Sequence, residues 1–219
     1  MKKLLYVVIL ILSASIGAVA FQYLTKIAEP EHALYYKTPR AIPAFELIDE
    51  LGNSFSNNQL KDHWSLLFLG YTSCPDVCPV TLQNLNTIYD ELKASARNSQ
   101  IILVTADPKR DTKDKLAQYI AYFNPEFKAV RAEHDVLFPF TRSLGLMYSI
   151  TNNLTSTNAE HNDLHNDDNY WVDHSASIIL VNPNGNIAAI FKPELTIGEA
   201  PSINNEKLLS DFQRIVALH

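Results

Sequence analysis

Two thiols separated by three residues, Cys74 and Cys78 in Tyr71-Thr72-Ser73-Cys74-Pro75-Asp76-Val77-Cys78-Pro79, are the whole cysteine content of this 219-residue chain. Thiols held close together can exchange electrons as a dithiol and disulfide, or grip a soft metal ion as thiolates. A structural disulfide is a third use, but a bridge across three residues closes a very small loop and stabilises a fold little. The spacing leans toward chelation. A two-residue gap makes a tuned redox pair, whereas one more residue sets the sulfurs a helical turn apart on one face, where both reach a common ion. A helix N-terminus at this corner would favour the thiolate for either purpose.

Two thiolates leave a metal site short of a ligand, and imidazole suits a borderline or soft transition metal. Of the 7 histidines, His174 in Val172-Asp173-His174-Ser175-Ala176 stands out, because it comes just before the apolar run Ser177–Val181. His32, near the N-terminal end, and His219, the last residue, are expected in solvent. His63 and His134 fall near expected helix starts and read as surface or capping groups. His161 and His165 lie in a polar stretch, either as an auxiliary metal-collecting loop or as the solvated side chains that such composition usually carries. Asp173 either orients the imidazole from behind or is an exposed loop acid.

The elements that must position these groups are legible as pattern. The apolar run 65–70 reads as a buried strand feeding the cysteine corner. From Pro79 onward, Leu82, Leu85, Tyr89, Leu92 and Ala96 recur at steps of three and four, the stripe of one buried helix. Cys78 extends that stripe inward, and Cys74 joins it if the corner is helical. A second buried strand at 101–105 runs into Asp107-Pro108-Lys109-Arg110-Asp111-Thr112. Helices are expected over 112–123 and 135–146, a short strand over 127–130, and a polar surface insertion over 151–169. Runs 177–181 and 187–191 flank the turn Asn182-Pro183-Asn184-Gly185 as a hairpin, and 204–217 closes the chain as an amphipathic helix. A smaller hairpin is expected over 44–56 and a helical turn over 58–64. Alternating βαβ units with a cysteine pair after the first long strand predict an α/β, thioredoxin-like fold, a central mixed sheet flanked by helices, over residues 43–219.

Ahead of that domain, residues 26–42 contain Pro30 and Pro39 and read as an extended tether. Residues 1–25 carry Lys2-Lys3 and then no charge until Lys26, which fits a membrane-spanning anchor or, with Ala18-Val19-Ala20 as a cleavage site, a signal segment. Both send the folded part outside the cytoplasm. The net charge is −6, and without residues 1–25 it falls to −8, which argues against nucleic acid or anionic lipid as the partner.

With these residues in view, the chain resembles the Sco/SenC family of membrane-tethered copper chaperones of cytochrome c oxidase. The resemblance covers most of 40–217 and is carried by Cys74-Pro75-Asp76-Val77-Cys78-Pro79, the loop Asp107–Thr112, Asp173-His174-Ser175 and the N-terminal segment. It departs at Ser73, where many members have His at a position that is not a ligand, and in the length of the 151–169 insertion. The resemblance implies a thioredoxin-like fold with Cys74, Cys78 and His174 as copper ligands, taking Cu(I) and, through the imidazole, Cu(II). It further implies copper delivery to the binuclear copper centre of oxidase subunit II, at the cell inner membrane with the domain on the periplasmic side. A second hypothesis keeps the same cysteines as the redox-active pair of a thiol–disulfide oxidoreductase acting on that acceptor. A peroxidase of the peroxiredoxin kind is disfavoured, because its Pro-x3-Thr-x2-Cys arrangement would need Pro and Thr or Ser where Leu67 and Tyr71 stand.

Overall fold

In the computed structural model the described residues are Lys3, Tyr6, 10–17, 27–152, 170–195 and 201–219. Continuous apolar runs make the two central strands, β4 (Trp64–Gly70) and β5 (Ser99–Thr105), each buried along its whole length. They pair in parallel, as strands covered on both faces do. Around them an eight-stranded sheet runs in the order β1-β10-β9-β4-β5-β6-β2-β3. Its outer members are β1 (Leu34–Ala41), β2 (Glu46–Asp49), β3 (Ser54–Ser56), β6 (Lys128–Arg131), β9 (Ile178–Val181) and β10 (Asn186–Phe191). β4 pairs antiparallel with β9, so the sheet is mixed.

Strand side chains alternate between faces, and the core divides accordingly. Leu66 and Phe68 point toward helices α2 (Val77–Thr87), α3 (Tyr89–Ser95), α4 (Lys113–Phe123) and α6 (Asn205–Leu218), packing with Leu82, Leu92, Leu116 and Phe212. Leu67 and Leu69 point the other way, toward α5 (His134–Leu144) and the short α1 (Asn57–Leu60), packing with Leu137, Phe140 and Leu60. This is the expected thioredoxin-like arrangement of helices on both faces of a mixed sheet.

Three expectations change. Residues 34–41, read as tether, are extended but form strand β1, paired antiparallel with β10. Pro39 is tolerated there because the strand lies at the sheet edge. The single helix expected from Pro79 is interrupted at Ile88. Thr87 Oγ1 donates to the Asn84 carbonyl and Asn205 Nδ2 reaches the same oxygen, which competes with the helical ladder. Finally, strands β7 (Tyr148–Asn152) and β8 (Tyr170–His174) form a separate two-stranded sheet flanking the polar insertion. Positions 153–169, with His161 and His165, lie outside the described residues, as does most of 1–25. Residues 10–17 are helical, and among the described residues no helix is long and apolar enough to cross a membrane.

Candidate metal centre

The topology delivers three segments to one end of the sheet. β4 ends at Gly70 and β5 at Thr105, side by side, and the Ala106 N–H donates to the Gly70 carbonyl at 2.7 Å. β9 runs antiparallel to β4 with Ile178 opposite Phe68, so the residues entering β9 arrive beside the residues leaving β4. His174, the last residue of β8, therefore meets the cysteine corner despite a separation of 96 positions.

The corner itself is not helical. The Cys74 N–H donates to the Tyr71 carbonyl in a turn, and α2 begins only at Val77. Cys74 precedes Pro75, and a residue before proline is pushed out of the helical region. The sulfurs converge through that turn rather than through adjacent helical turns, which corrects the expectation of two sulfurs on one helix face. Convergence itself holds: Cys74, Cys78 and His174 present Sγ, Sγ and an imidazole nitrogen all within 4.8 Å of one another. Among the described residues this is the one such group of His, Cys, Asp or Glu.

Burial separates the two thiols. Cys78 is 1% exposed, packed among Leu69, Tyr71 and Val172, whereas Cys74 is partly open to solvent. Gly70 leaves the space Cys78 occupies, since a Cβ at residue 70 would stand 2.8 Å from Cys78 Sγ and 2.9 Å from Leu103 Cδ1. Both cysteines are free thiols, coupled through one shared hydrogen bond. Donation from Cys78, aided by His174 and nearby backbone N–H groups, lowers Cys74 to about 4. The same sharing, with burial second, pushes Cys78 up. The outer sulfur is thus the thiolate and the inner one the proton carrier. Alkylation of Cys74 by iodoacetamide is accordingly expected to change less than about twofold between pH 8 and pH 6, a range over which an ordinary thiol slows roughly 80-fold. A rate that followed the ordinary thiol curve would contradict the assignment.

His174 is oriented by what surrounds it. Nδ1 lies 3.3 Å from the Ser175 carbonyl oxygen, which can only accept, so the tautomer with its proton on Nδ1 leaves the Nε2 lone pair available to a metal ion. Nε2 sits 3.4 Å from Cys78 Sγ. The buried Tyr71 ring stands edge-on at 5.9 Å. Asp173 does not support the imidazole: alternation along β8 turns it to the opposite face, exposed, where it accepts from Thr151 Oγ1 at 3.3 Å. His134 is likewise more than a surface group, since its Nδ1 lies 2.7 Å from the hydroxyl of Tyr148, the residue paired with His174 across β7 and β8. His32 and His219 are exposed, and His63 rests against the Lys61 carbonyl, so none of these approaches the site.

The residues that hold the site in place escaped prediction. In the sequence the loop Asp107–Thr112 is only a mark of resemblance, yet its two carboxylates, both 0% exposed, brace the two halves of the centre. Asp111 accepts from the N–H and the hydroxyl of Thr72, two residues before Cys74, and from the Thr105 hydroxyl. Asp107 accepts from its loop neighbour, the Arg110 guanidinium, and from the hydroxyl of Tyr170 at the start of the strand that ends in His174. The signal available was two acids and an arginine following a wholly buried strand, where charge is costly unless paired.

Comparison with known proteins identifies the family and the fold. The SCO1/SenC family model matches residues 35–205. A SCO2-like protein of Rickettsia prowazekii is 31% identical over 198 residues, covering 88% of this chain and 92% of that protein. The solution structure of apo Sco1 from Thermus thermophilus, 24% identical, superposes with a TM-score of 0.68 over 89% of this chain and all of that one. Yeast Sco1 with copper bound, 25% identical, gives a TM-score of 0.59 over 70% of this chain and 80% of its own.

Proposed function

The chain belongs to the SCO1/SenC family, and on that premise we propose that it is a copper metallochaperone whose cargo is held by Cys74 Sγ, Cys78 Sγ and His174 Nε2. The observation that carries this reading is the meeting of two sulfurs and one imidazole nitrogen within 4.8 Å. The donor set fits copper: thiolates suit Cu(I), and an imidazole makes Cu(II) accessible as well. The asymmetry of the thiols suits release. A buried Cys78 and a braced His174 retain the ion while the partly exposed Cys74 is the donor an incoming acceptor ligand displaces first. As acceptor we propose the binuclear copper centre of cytochrome c oxidase subunit II, with the domain held on the periplasmic side of the inner membrane by residues 1–25. The acidic surface charge disfavours nucleic acid as a partner.

A second reading is favoured by the same thiol asymmetry. A partly exposed low-pKa thiolate with a buried thiol behind it is the arrangement of a thiol–disulfide reductase, the first attacking a partner's disulfide and the second resolving the mixed disulfide. His174→Ala separates the two. Chelator competition should show Cu(I) affinity falling on the order of a hundredfold, as one of three donors is lost, while disulfide reduction by the dithiol changes less than about threefold. If copper affinity is unaffected and reduction collapses, the chaperone reading is wrong.

A further inference from the structure

Apart from the ligands, the strongest constellation in the molecule ties the loop after β5 to the strand that carries His174. Among the described strands β8 pairs only with β7, so no ladder hydrogen bond joins it to the main sheet. Side chains must fix its place. Tyr170 opens β8 and His174 ends it, four residues apart and so on the same face, with the buried Val172 between them.

At the Tyr170 end the contacts are dense. Its hydroxyl donates to Asp107 Oδ1 at 2.5 Å, and its carbonyl accepts from Arg110 Nη1 at 3.1 Å. The Arg110 guanidinium lies 3.9 Å over the Tyr170 ring and 5.7 Å from the Tyr71 ring. It closes the group by an ion pair through Nε to Asp107 Oδ2, and the Arg110 N–H donates to Oδ1 at 3.3 Å. Asp107 is in turn held by its own N–H donating to Thr105 Oγ1 at 3.0 Å, at the end of the rigid central strand.

We propose that Asp107, Arg110 and Tyr170 form a clamp that positions His174 for copper, a role resting on the three-ligand reading above. The clamp fixes the far end of a five-residue strand whose near end must bring an imidazole nitrogen into register with two sulfurs. None of the three touches the ion; they act through β8. The cysteine corner has an anchor of its own in Asp111 on Thr72, although Arg110 also lies by the Tyr71 ring, so losing only the Tyr170 hydroxyl should free the imidazole and leave the thiols in place.

The test uses the full-length chain and its Tyr170→Phe, Asp107→Asn and His174→Ala variants. Three readouts apply: Cu(I) affinity by chelator competition, nitrogen coupling in the Cu(II) electron paramagnetic resonance spectrum, and Cys74 alkylation rate in the metal-free protein. Tyr170→Phe keeps the ring and removes one hydroxyl, so it decides the matter even should Asp107→Asn fail to fold. It is expected to weaken Cu(I) binding by about 10- to 100-fold, the usual cost of losing support behind a ligand, to diminish nitrogen coupling, and to leave alkylation within about twofold. Wild-type affinity and spectrum in Tyr170→Phe, beside a clear loss in His174→Ala, overturn the clamp alone. An affinity loss accompanied by an equal change in Cys74 alkylation means general loosening of the corner and also overturns it. Wild-type affinity in His174→Ala removes the three-ligand reading and the clamp with it.

Discussion

Cys78→Ser is expected to lower Cu(I) affinity on the order of a thousandfold, measured by competition with a chromophoric chelator. Four-ligand structural metal sites bind with about 10–16 kcal/mol, so one strong donor carries roughly 3–4 kcal/mol, or two to three powers of ten. Serine takes the space of cysteine without replacing it as a ligand, since a hydroxyl is hard and stays protonated where a soft ion wants thiolate. Cys78 is the more telling of the two cysteines to change. It is 1% exposed beneath Gly70, so neither water nor a buffer thiol can take its place readily. Cys74 is open enough for an exogenous thiol to substitute in part. Because the serine hydroxyl stays protonated and can still donate to Cys74, Cys78→Ser should keep Cys74 alkylation fast below pH 7, whereas Cys78→Ala, which has no donor, should raise the Cys74 pKa from about 4 toward the ordinary range and slow it. A variant that kept wild-type copper affinity would defeat the chaperone proposal outright.

What the chain discloses before folding, and what it withholds, follows from how each feature is encoded. Strands β4 and β5 and the β9–β10 hairpin were legible because wholly buried strands are written as unbroken apolar runs. The converging trio was legible because chemistry narrows the candidates: two cysteines, and one histidine heading a buried strand. Strand β1 was not, because an edge strand with Pro39, Lys37 and Arg40 has the composition of a linker and is made a strand only by β10 beside it. β7 and β8 were hidden for a related reason, their five-residue segments bordering a polar insertion and pairing with each other across it. The helical geometry assumed for the corner failed because Pro75 acts on Cys74 before helix formation can. Above all, the bracing carboxylates gave no periodic signal. Asp107 and Asp111 become significant only once the ends of β4, β5 and β8 lie together, a fact of topology rather than of local pattern.

Asp111→Ala should therefore cost more than any ordinary surface change, although Asp111 is not a ligand. Its carboxylate is fully buried and receives the Thr72 N–H at 3.0 Å, the Thr72 hydroxyl at 2.5 Å and the Thr105 hydroxyl at 2.7 Å. Lys115 Nζ stands 3.9 Å away and also reaches Ser73 Oγ, so the same cluster draws together the two residues before Cys74. Alanine leaves these donors in a cavity. The hydroxyls can turn to other acceptors, but the Thr72 N–H is fixed by the chain. Unpaired buried donors cost about 1–3 kcal/mol each, and removing one side of a buried charged network about 3–5 kcal/mol in all. For a chain of this size that is a fall of roughly 6–20 °C in thermal midpoint, to be read by circular dichroism of the metal-free protein. The electrostatic contribution runs the other way, because the negative charge of Asp111 opposes ionisation of Cys78. Removing that charge should make Cys78 easier to ionise, so a destabilised fold together with a more readily ionised Cys78 marks Asp111 as a brace for Thr72 rather than a group that favours the thiolate. A midpoint within 2 °C of wild type would show that the corner keeps its shape without this brace, and that the convergence of the two sulfurs has another cause.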